Sequence, residues 1–196
     1  MNIGKMTEEE LAVAFADGSH AAFDELVNRC KADVFGFLLG LTGSRDMAED
    51  LFQETFVKYV RNPGAYRPVQ KFRAWLFTVA RNTALDYFRR EKNRTSLGIL
   101  ETPEDEEYDS EGTVVLGIKD RDSDRPDLMF ENACLADRIN SAIASLPQEQ
   151  REIFYLRHYS GLSFKEISTL LGEPVGTVLS RMSRTAAVLR EKLEEK

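Results

Sequence analysis

Between Leu97 and Ala133 the chain carries twelve carboxylates against three basic residues, a local charge of minus nine, and this stretch divides the sequence. A segment so acidic buries too little apolar surface to offset the entropy of ordering it. We read 97–133 as an acidic flexible linker; within it Val114 to Ile118 is an apolar run too brief to form a domain. The remainder falls into units of 1–96 and 134–196, each the size of a small domain. With 42% hydrophobic and 30% charged residues the chain is globular in composition, but so long an interruption argues against one compact core.

Both units have helical periodicity. Thr7 and Glu10 have the spacing of a capping box, Gly18 ends that helix, and Ser19 caps the next. Phe23, Leu26, Val27, Cys30, Val34, Phe37, Leu38 and Leu41 then form one stripe at three- and four-residue steps, which makes Cys30 a small core residue. A third helix is predicted to open on a capping box of Asp46 and Glu49. Leu51, Phe52, Phe56, Tyr59 and Val60 form its apolar side, and Glu49, Asp50, Gln53 and Glu54 project elsewhere. Phe72, Trp75, Leu76, Val79, Thr83 and Tyr87 supply a fourth stripe.

In the second unit Ser163 and Glu166 form a capping box, Ile167, Leu170 and Leu171 an apolar stripe, and Gly172 before Glu173 and Pro174 a stop. Beyond that break Val178, Met182, Ala186, Leu189 and Leu193 mark the buried face of another helix. At 100° per residue, Thr177, Ser180, Arg184 and Ala187 lie opposite, with Arg181 at the flank. That face is short, polar and positive, as a helix entering the major groove must be. The same spacing also suits an ordinary helical hairpin with a solvated face. The expected fold is therefore all-α: two small helical domains joined by the acidic linker, the C-terminal one a helix-turn-helix.

Charge is distributed unevenly. The chain is minus seven overall, yet Thr55 to Ser96 holds ten basic residues against Asp86 and Glu91, a local plus eight. Tyr59, Tyr66, Phe72, Trp75, Phe77, Tyr87 and Phe88 are interleaved with them. Positive charge follows a phosphate backbone, and flat rings accept unstacked bases. Phe72, Trp75 and Leu76 are assigned to packing by their spacing. Tyr66, beside Gly64, Arg67 and Pro68, reads as a loop aromatic with less reason to be buried and as a candidate base contact. The acidic side of the third helix, next to a basic surface, suits a basic protein partner. Solvated helix faces remain the alternative for both charged regions.

Three strings in the second unit, Leu146-Pro-Gln-Glu-Gln-Arg-Glu152, Tyr159-Ser-Gly-Leu-Ser-Phe-Lys-Glu-Ile167 and Pro174-Val-Gly-Thr-Val-Leu-Ser-Arg-Met-Ser-Arg184, resemble region 4 of extracytoplasmic-function (ECF) sigma factors. Asp46-Met-Ala-Glu-Asp-Leu-Phe-Gln-Glu-Thr-Phe56 resembles the polymerase-binding helix of region 2. Phe72-Arg-Ala-Trp-Leu-Phe-Thr-Val-Ala-Arg-Asn82, continuing through Asp86-Tyr-Phe-Arg-Arg90, resembles its -10 recognition helix. The resemblance covers roughly residues 21–94 and 135–193. It implies a sigma factor directing promoter-specific initiation by core RNA polymerase. By resemblance, Thr177, Ser180, Arg181 and Arg184 contact the -35 element, and Asn82, Arg89 and Arg90, with the loop around Tyr66, contact the -10 element. Glu49, Asp50, Gln53 and Glu54 would meet the clamp of the largest polymerase subunit, and the C-terminal unit would meet the flap of the second. Leu179 departs from the basic residue the resemblance leads one to expect.

Further expectations follow. An anti-sigma partner is implied by family habit. The linker's acidity could occupy a basic cavity, as the resemblance implies, or compete with DNA for the basic patch; the alternative is a soluble spacer. No cofactor, metal site, catalytic constellation or membrane insertion is expected: the two cysteines, Cys30 and Cys134, and two histidines, His20 and His158, lack ligand spacing, and no phosphate-cradling glycine loop or long apolar run is present. The expected setting is the bacterial cytoplasm. The alternative function is a stand-alone helix-turn-helix regulator whose N-terminal domain binds an effector or protein; a third is a helical adaptor that binds no DNA.

Overall fold

The computed structural model describes residues 3–96 and 138–194. The expected linker and Cys134 lie outside them. The regular elements of the described residues are all helices: α1 (Glu8–Ala16), α2 (His20–Thr42), α3 (Arg45–Arg61) and α4 (Phe72–Ser96) form the first unit. The second comprises α5 (138–144), α6 (Gln148–Tyr155), α7 (Phe164–Leu171) and α8 (Val175–Glu194).

Local chemistry sets most of these boundaries. The Thr7 hydroxyl accepts the Glu10 N–H while the Glu10 carboxylate accepts the Thr7 N–H, so the box that opens α1 is complete. Ser19 caps α2 through the Ala22 N–H, and Gly43, at φ 68°, ends it. α3 departs from expectation. Its cap is Ser44, which accepts the Met47 N–H, and Glu49 instead pairs with Arg45 at 3.0 Å. Asp46 already lies inside the first turn, where its charge suits the helix dipole. The start of α4 is capped from a distance, since the Phe72 N–H donates to the Glu9 carboxylate of α1 at 3.0 Å.

α2 is the central column. Ala22, Leu26, Cys30, Val34, Phe37 and Leu38 are fully buried along it, with α1, α3 and α4 packed around. The Cys30 thiol is pushed up to about 12, chiefly by burial. An aromatic cluster of Phe15, Phe23, Tyr59, Phe72 and Trp75 closes the side between α1, α3 and α4.

The two expected helical domains are present, and they pack on one another. Buried residues from Met6 to Val178 form one continuous cluster, because α6 and the turn after it lie on α2. That turn, Leu156–Ser160, widens into a single π-helical turn and stops at Gly161, φ 67°. It lays Tyr155 and Tyr159 against the α2 backbone at Gly40 and Gly36, where the absence of a Cβ makes room.

Candidate nucleic-acid interface

In the second unit α7 and α8 form the helix-turn-helix. The Ser163–Glu166 box opens α7, and Gly172 closes it at φ 70° with its N–H on Ser168 and Thr169. The Thr177 and Val178 N–H groups then bond to the Pro174 carbonyl, starting α8. Val178 and Thr185 are buried, and Met182, Val188 and Leu189 pack beside them. The predicted stripe is thus displaced at one point: Ala186 is exposed and Thr185 is inside. Threonine is tolerated there because its hydroxyl bonds the Arg181 carbonyl at 3.0 Å and reaches Gln150 at 3.3 Å.

On the outward face Ser180 and Arg184 are exposed and Thr177 is half-buried. Leu179 stands 46% exposed beside them. Arg181 is placed differently from the reading that made it a DNA contact. Its guanidinium binds Glu173 at 2.6 Å and Glu149 at 2.8 Å with 19% of the side chain exposed, tying α8 to α6 and to the turn. The Glu173 hydrogen bond in particular holds it more firmly protonated.

The Glu166 carboxylate is held down to about 2 by the Ser163 hydroxyl, the Lys71 ammonium 2.9 Å away and the Ser163 N–H. Its folded value lies below the ordinary 4.5, so its contribution to stability is present above that value and lost as pH falls toward about 2. Glu166→Gln is expected to flatten the loss of thermal stability across that acid window and to lower stability at neutral pH. Melts of both chains from pH 2 to pH 7 read the effect; parallel curves would refute it.

In the first unit Asn82, Arg89 and Arg90 are exposed along one stretch of α4. Arg89 pairs with Asp86 at 3.2 Å, and Arg90 approaches Glu54 at 3.7 Å. Both pairs are at the surface, where they are weak and readily exchanged for phosphate. Lys58 bridges Glu54 and the Thr83 hydroxyl, joining α3 to α4. Tyr66 lies in a loop as its neighbours suggest, but the expectation that it would be exposed there is corrected. Tyr66 is only 6% exposed, stacks edge-on against Phe72 and Trp75, and donates its hydroxyl to the Gln70 carbonyl. Its ring is part of the core and does not face a base in this arrangement. The Gly–Pro turn carries it inward because Gln70 satisfies the phenol there.

Of the acidic side of α3, Glu49, Asp50 and Gln53 are exposed, whereas Glu54 turns toward Lys58 and Arg90. Val57 and Val60, 43% and 47% exposed, extend this face. Val60, expected on the helix's apolar side, faces outward, so the surface combines acid, amide and apolar groups as a protein-docking face does.

Sequence reasoning also missed the partners of the basic patch. Arg81 binds Glu152 at 2.5 Å, Lys71 binds Glu166, and Arg73 binds Glu8 at 3.0 Å and Asp33 at 2.7 Å. Distant carboxylates of this kind leave no local signature.

Residues 26–94 match Sigma-70 region 2, and residues 136–188 match Sigma-70, region 4. Among similar proteins, the RNA polymerase sigma-H factor of Pseudomonas aeruginosa is 31% identical over 191 residues, covering 95% of this chain and 94% of that one. The ECF RNA polymerase sigma-E factor of Haemophilus influenzae is 29% identical over 190 residues, 97% of each chain. Among solved structures, CnrH in complex with the cytosolic domain of CnrY matches with a TM-score of 0.64 at 24% identity, over 95% of this chain and 97% of that one, and so shares the fold.

A helical region 2 joined to a helix-turn-helix region 4 defines a non-enzymatic class of transcription initiation proteins. The chain belongs to the ECF sigma factors of the sigma-70 family, and its function is that of an RNA polymerase sigma factor. Among the described residues no helix is long and apolar enough to cross a membrane.

Proposed function

We propose that α8 reads the -35 element in the major groove through Thr177, Ser180 and Arg184, while α4 holds the opened -10 strand through Asn82, Arg89 and Arg90. The observation that carries this reading is the exposed pair Ser180 and Arg184, with Thr177 half-buried one turn before, on a helix anchored from behind by Arg181. Hydroxyls accept from and donate to base edges, and arginine matches the paired acceptors of guanine. Leu179 offers a thymine methyl an apolar contact where a basic side chain would seek phosphate. Arg181 acts as a support rather than a contact, and Tyr66 as core.

Glu49, Asp50 and Gln53, flanked by Val57 and Val60, form the face for the clamp of the largest polymerase subunit; the C-terminal unit meets the flap. Such charged faces set orientation and association rate more than affinity. The chain works in the bacterial cytoplasm, joined by a linker over 97–133. An anti-sigma factor is a further partner. The sigma factor RpoE of Bartonella quintana, solved in complex with the anti-sigma factor NepR, shares the fold, and such an inhibitor here would cover the polymerase and DNA faces. Strand opening requires no chemistry, because binding single strand better than duplex shifts the equilibrium.

Transcription by core polymerase from a fork-junction promoter tests the reading. Asn82→Ala is expected to reduce initiation from a duplex promoter, and much less from one already opened over the -10 element. Equal loss on both templates would remove Asn82 from strand capture. Failure of the unaltered chain to direct core polymerase to any promoter would remove the whole assignment of faces.

A further inference from the structure

The exposed arc of α8 is turned from the predicted row of Thr177, Ser180 and Arg184 toward Leu179. Gly176, Leu179, Ser180, Ser183, Arg184 and Ala187 are all exposed. At 100° per residue they fill about 140° of the helix, with Leu179 at one border, Arg184 at the other and small residues between them. Half-buried Thr177 falls just beyond the Arg184 border, and Val178 and Thr185 lie on the opposite, buried side.

A single apolar side chain is ordinary on a protein surface, so Leu179 is informative only through its place. Among the described residues it is the one large hydrophobic side chain that the second unit exposes, at 46%, and it lies outside the core. Glycine, serine and alanine fill the arc beside it, so no longer side chain holds the helix away from a surface. At Gly176 a Cβ would meet nothing within 4 Å; packing inside the chain does not require that glycine, and its bare backbone lets the helix approach a groove closely.

The floor of the major groove offers leucine one favourable contact. Thymine presents a 5-methyl group there, whereas cytosine and adenine present amino donors and guanine presents two acceptors. Covering the methyl removes apolar surface from water, but leucine seated on an amino group or an acceptor strips it of water and returns no hydrogen bond. Leucine also grips no phosphate, so it discriminates between sequences without strengthening binding to all of them.

We propose that Leu179 is a specificity-determining residue of the -35 contact and selects a pyrimidine carrying a 5-methyl group. Arg184, on the other border of the arc, selects guanine, and the small residues between them set the depth of approach. This rests on α8 entering the major groove at the -35 element.

The test uses holoenzyme assembled from the full chain and core polymerase, which selects binders from duplex promoters randomised across the -35 element. The selected site is expected to hold a thymine that Leu179→Ala no longer selects. Deoxyuridine in place of that thymine removes the methyl group alone. It is expected to weaken the unaltered holoenzyme about 3- to 5-fold, the effect of burying one such carbon, and to leave Leu179→Ala nearly unaffected. 5-Methylcytosine at the same position should bind the unaltered holoenzyme more tightly than cytosine does. Leu179→Arg should lose the thymine preference and steepen the salt dependence by about one counterion. Each comparison is a ratio of affinities within one chain, so a partly misfolded variant does not imitate it. Uridine tolerated at every selected thymine, or an equal loss in Leu179→Ala, overturns the role of Leu179 and leaves α8 on the -35 element. Selection unchanged by both Leu179→Ala and Arg184→Ala overturns the α8 assignment as well.

Discussion

Tyr59→Ala is expected to remove about 3 to 5 kcal/mol of folding stability, the range for deleting a buried aromatic side chain. Tyr59 is fully buried, with ring centroids of Phe15, Phe72 and Trp75 at 5.2, 5.4 and 5.2 Å and Phe23 at 6.2 Å. Truncation would leave a cavity that helices from three directions cannot all collapse into. A loss of this size is a large part of the roughly 5 to 15 kcal/mol that holds a domain folded. The conservative change separates packing from polarity. The Tyr59 hydroxyl is buried without a hydrogen-bond partner among the described residues, and burial holds its ionisation well above the ordinary tyrosine value. Tyr59→Phe is therefore expected to raise stability by about 1 kcal/mol. Urea denaturation of the three chains reads both effects, and a Phe variant less stable than the parent would show that the hydroxyl is satisfied in solution.

The second large effect concerns DNA. Arg184→Ala is expected to weaken binding to a duplex carrying the -35 element by about 1 to 3 kcal/mol, or roughly 5- to 150-fold, if the guanidinium pairs with guanine. Arg184 is exposed on α8, and among the described residues its hydrogen bond is to the Ser180 carbonyl at 3.3 Å through Nε, which leaves its other donors open to DNA. Its removal should leave the melting temperature nearly unchanged. Arg181→Ala should behave differently, lowering thermal stability along with binding, because Glu149 and Glu173 lose the cation that joins them to α8. Competition with a scrambled -35 duplex distinguishes base reading from phosphate grip. Equal weakening of both duplexes by Arg184→Ala would assign it to the backbone.

Helix identity was legible in the sequence wherever it depends on near neighbours. Thr7, Ser19 and Ser163 cap as their spacing predicts, and Gly172 takes the left-handed stop, because these interactions reach no further than three or four residues. The α3 start shows how narrow that legibility is. Ser44 and Asp46 are both good caps two residues apart, and a buried threonine hydroxyl decides between them: Thr42 accepts the Ser44 N–H and donates toward the Ser44 carbonyl, fixing the turn before the helix. Burial of polar residues was less legible. Thr185 and Tyr66 go inside because Gln150 and the Gln70 carbonyl happen to be there to receive them.

Site residues divided along the same line. Positions defined by helical phase, such as Ser180 and Arg184, are exposed where the phase puts them. Charged residues whose partners come from another helix were not predictable. Arg181, Arg81 and Lys71 all read as free cations in a one-dimensional sequence, and each finds a carboxylate only through tertiary packing.

The distant cap on Phe72 has a consequence for how the protein is dissected. α1 lies ahead of the span that matches region 2, yet its Glu9 anchors the first amide of α4 and its Glu8 grips Arg73 one residue on. A fragment trimmed to the matched span would keep Asn82, Arg89 and Arg90, the proposed strand contacts, and lose the clasp that fixes where their helix begins. Weak promoter opening by such a fragment would report a loosened hinge pin rather than a missing contact.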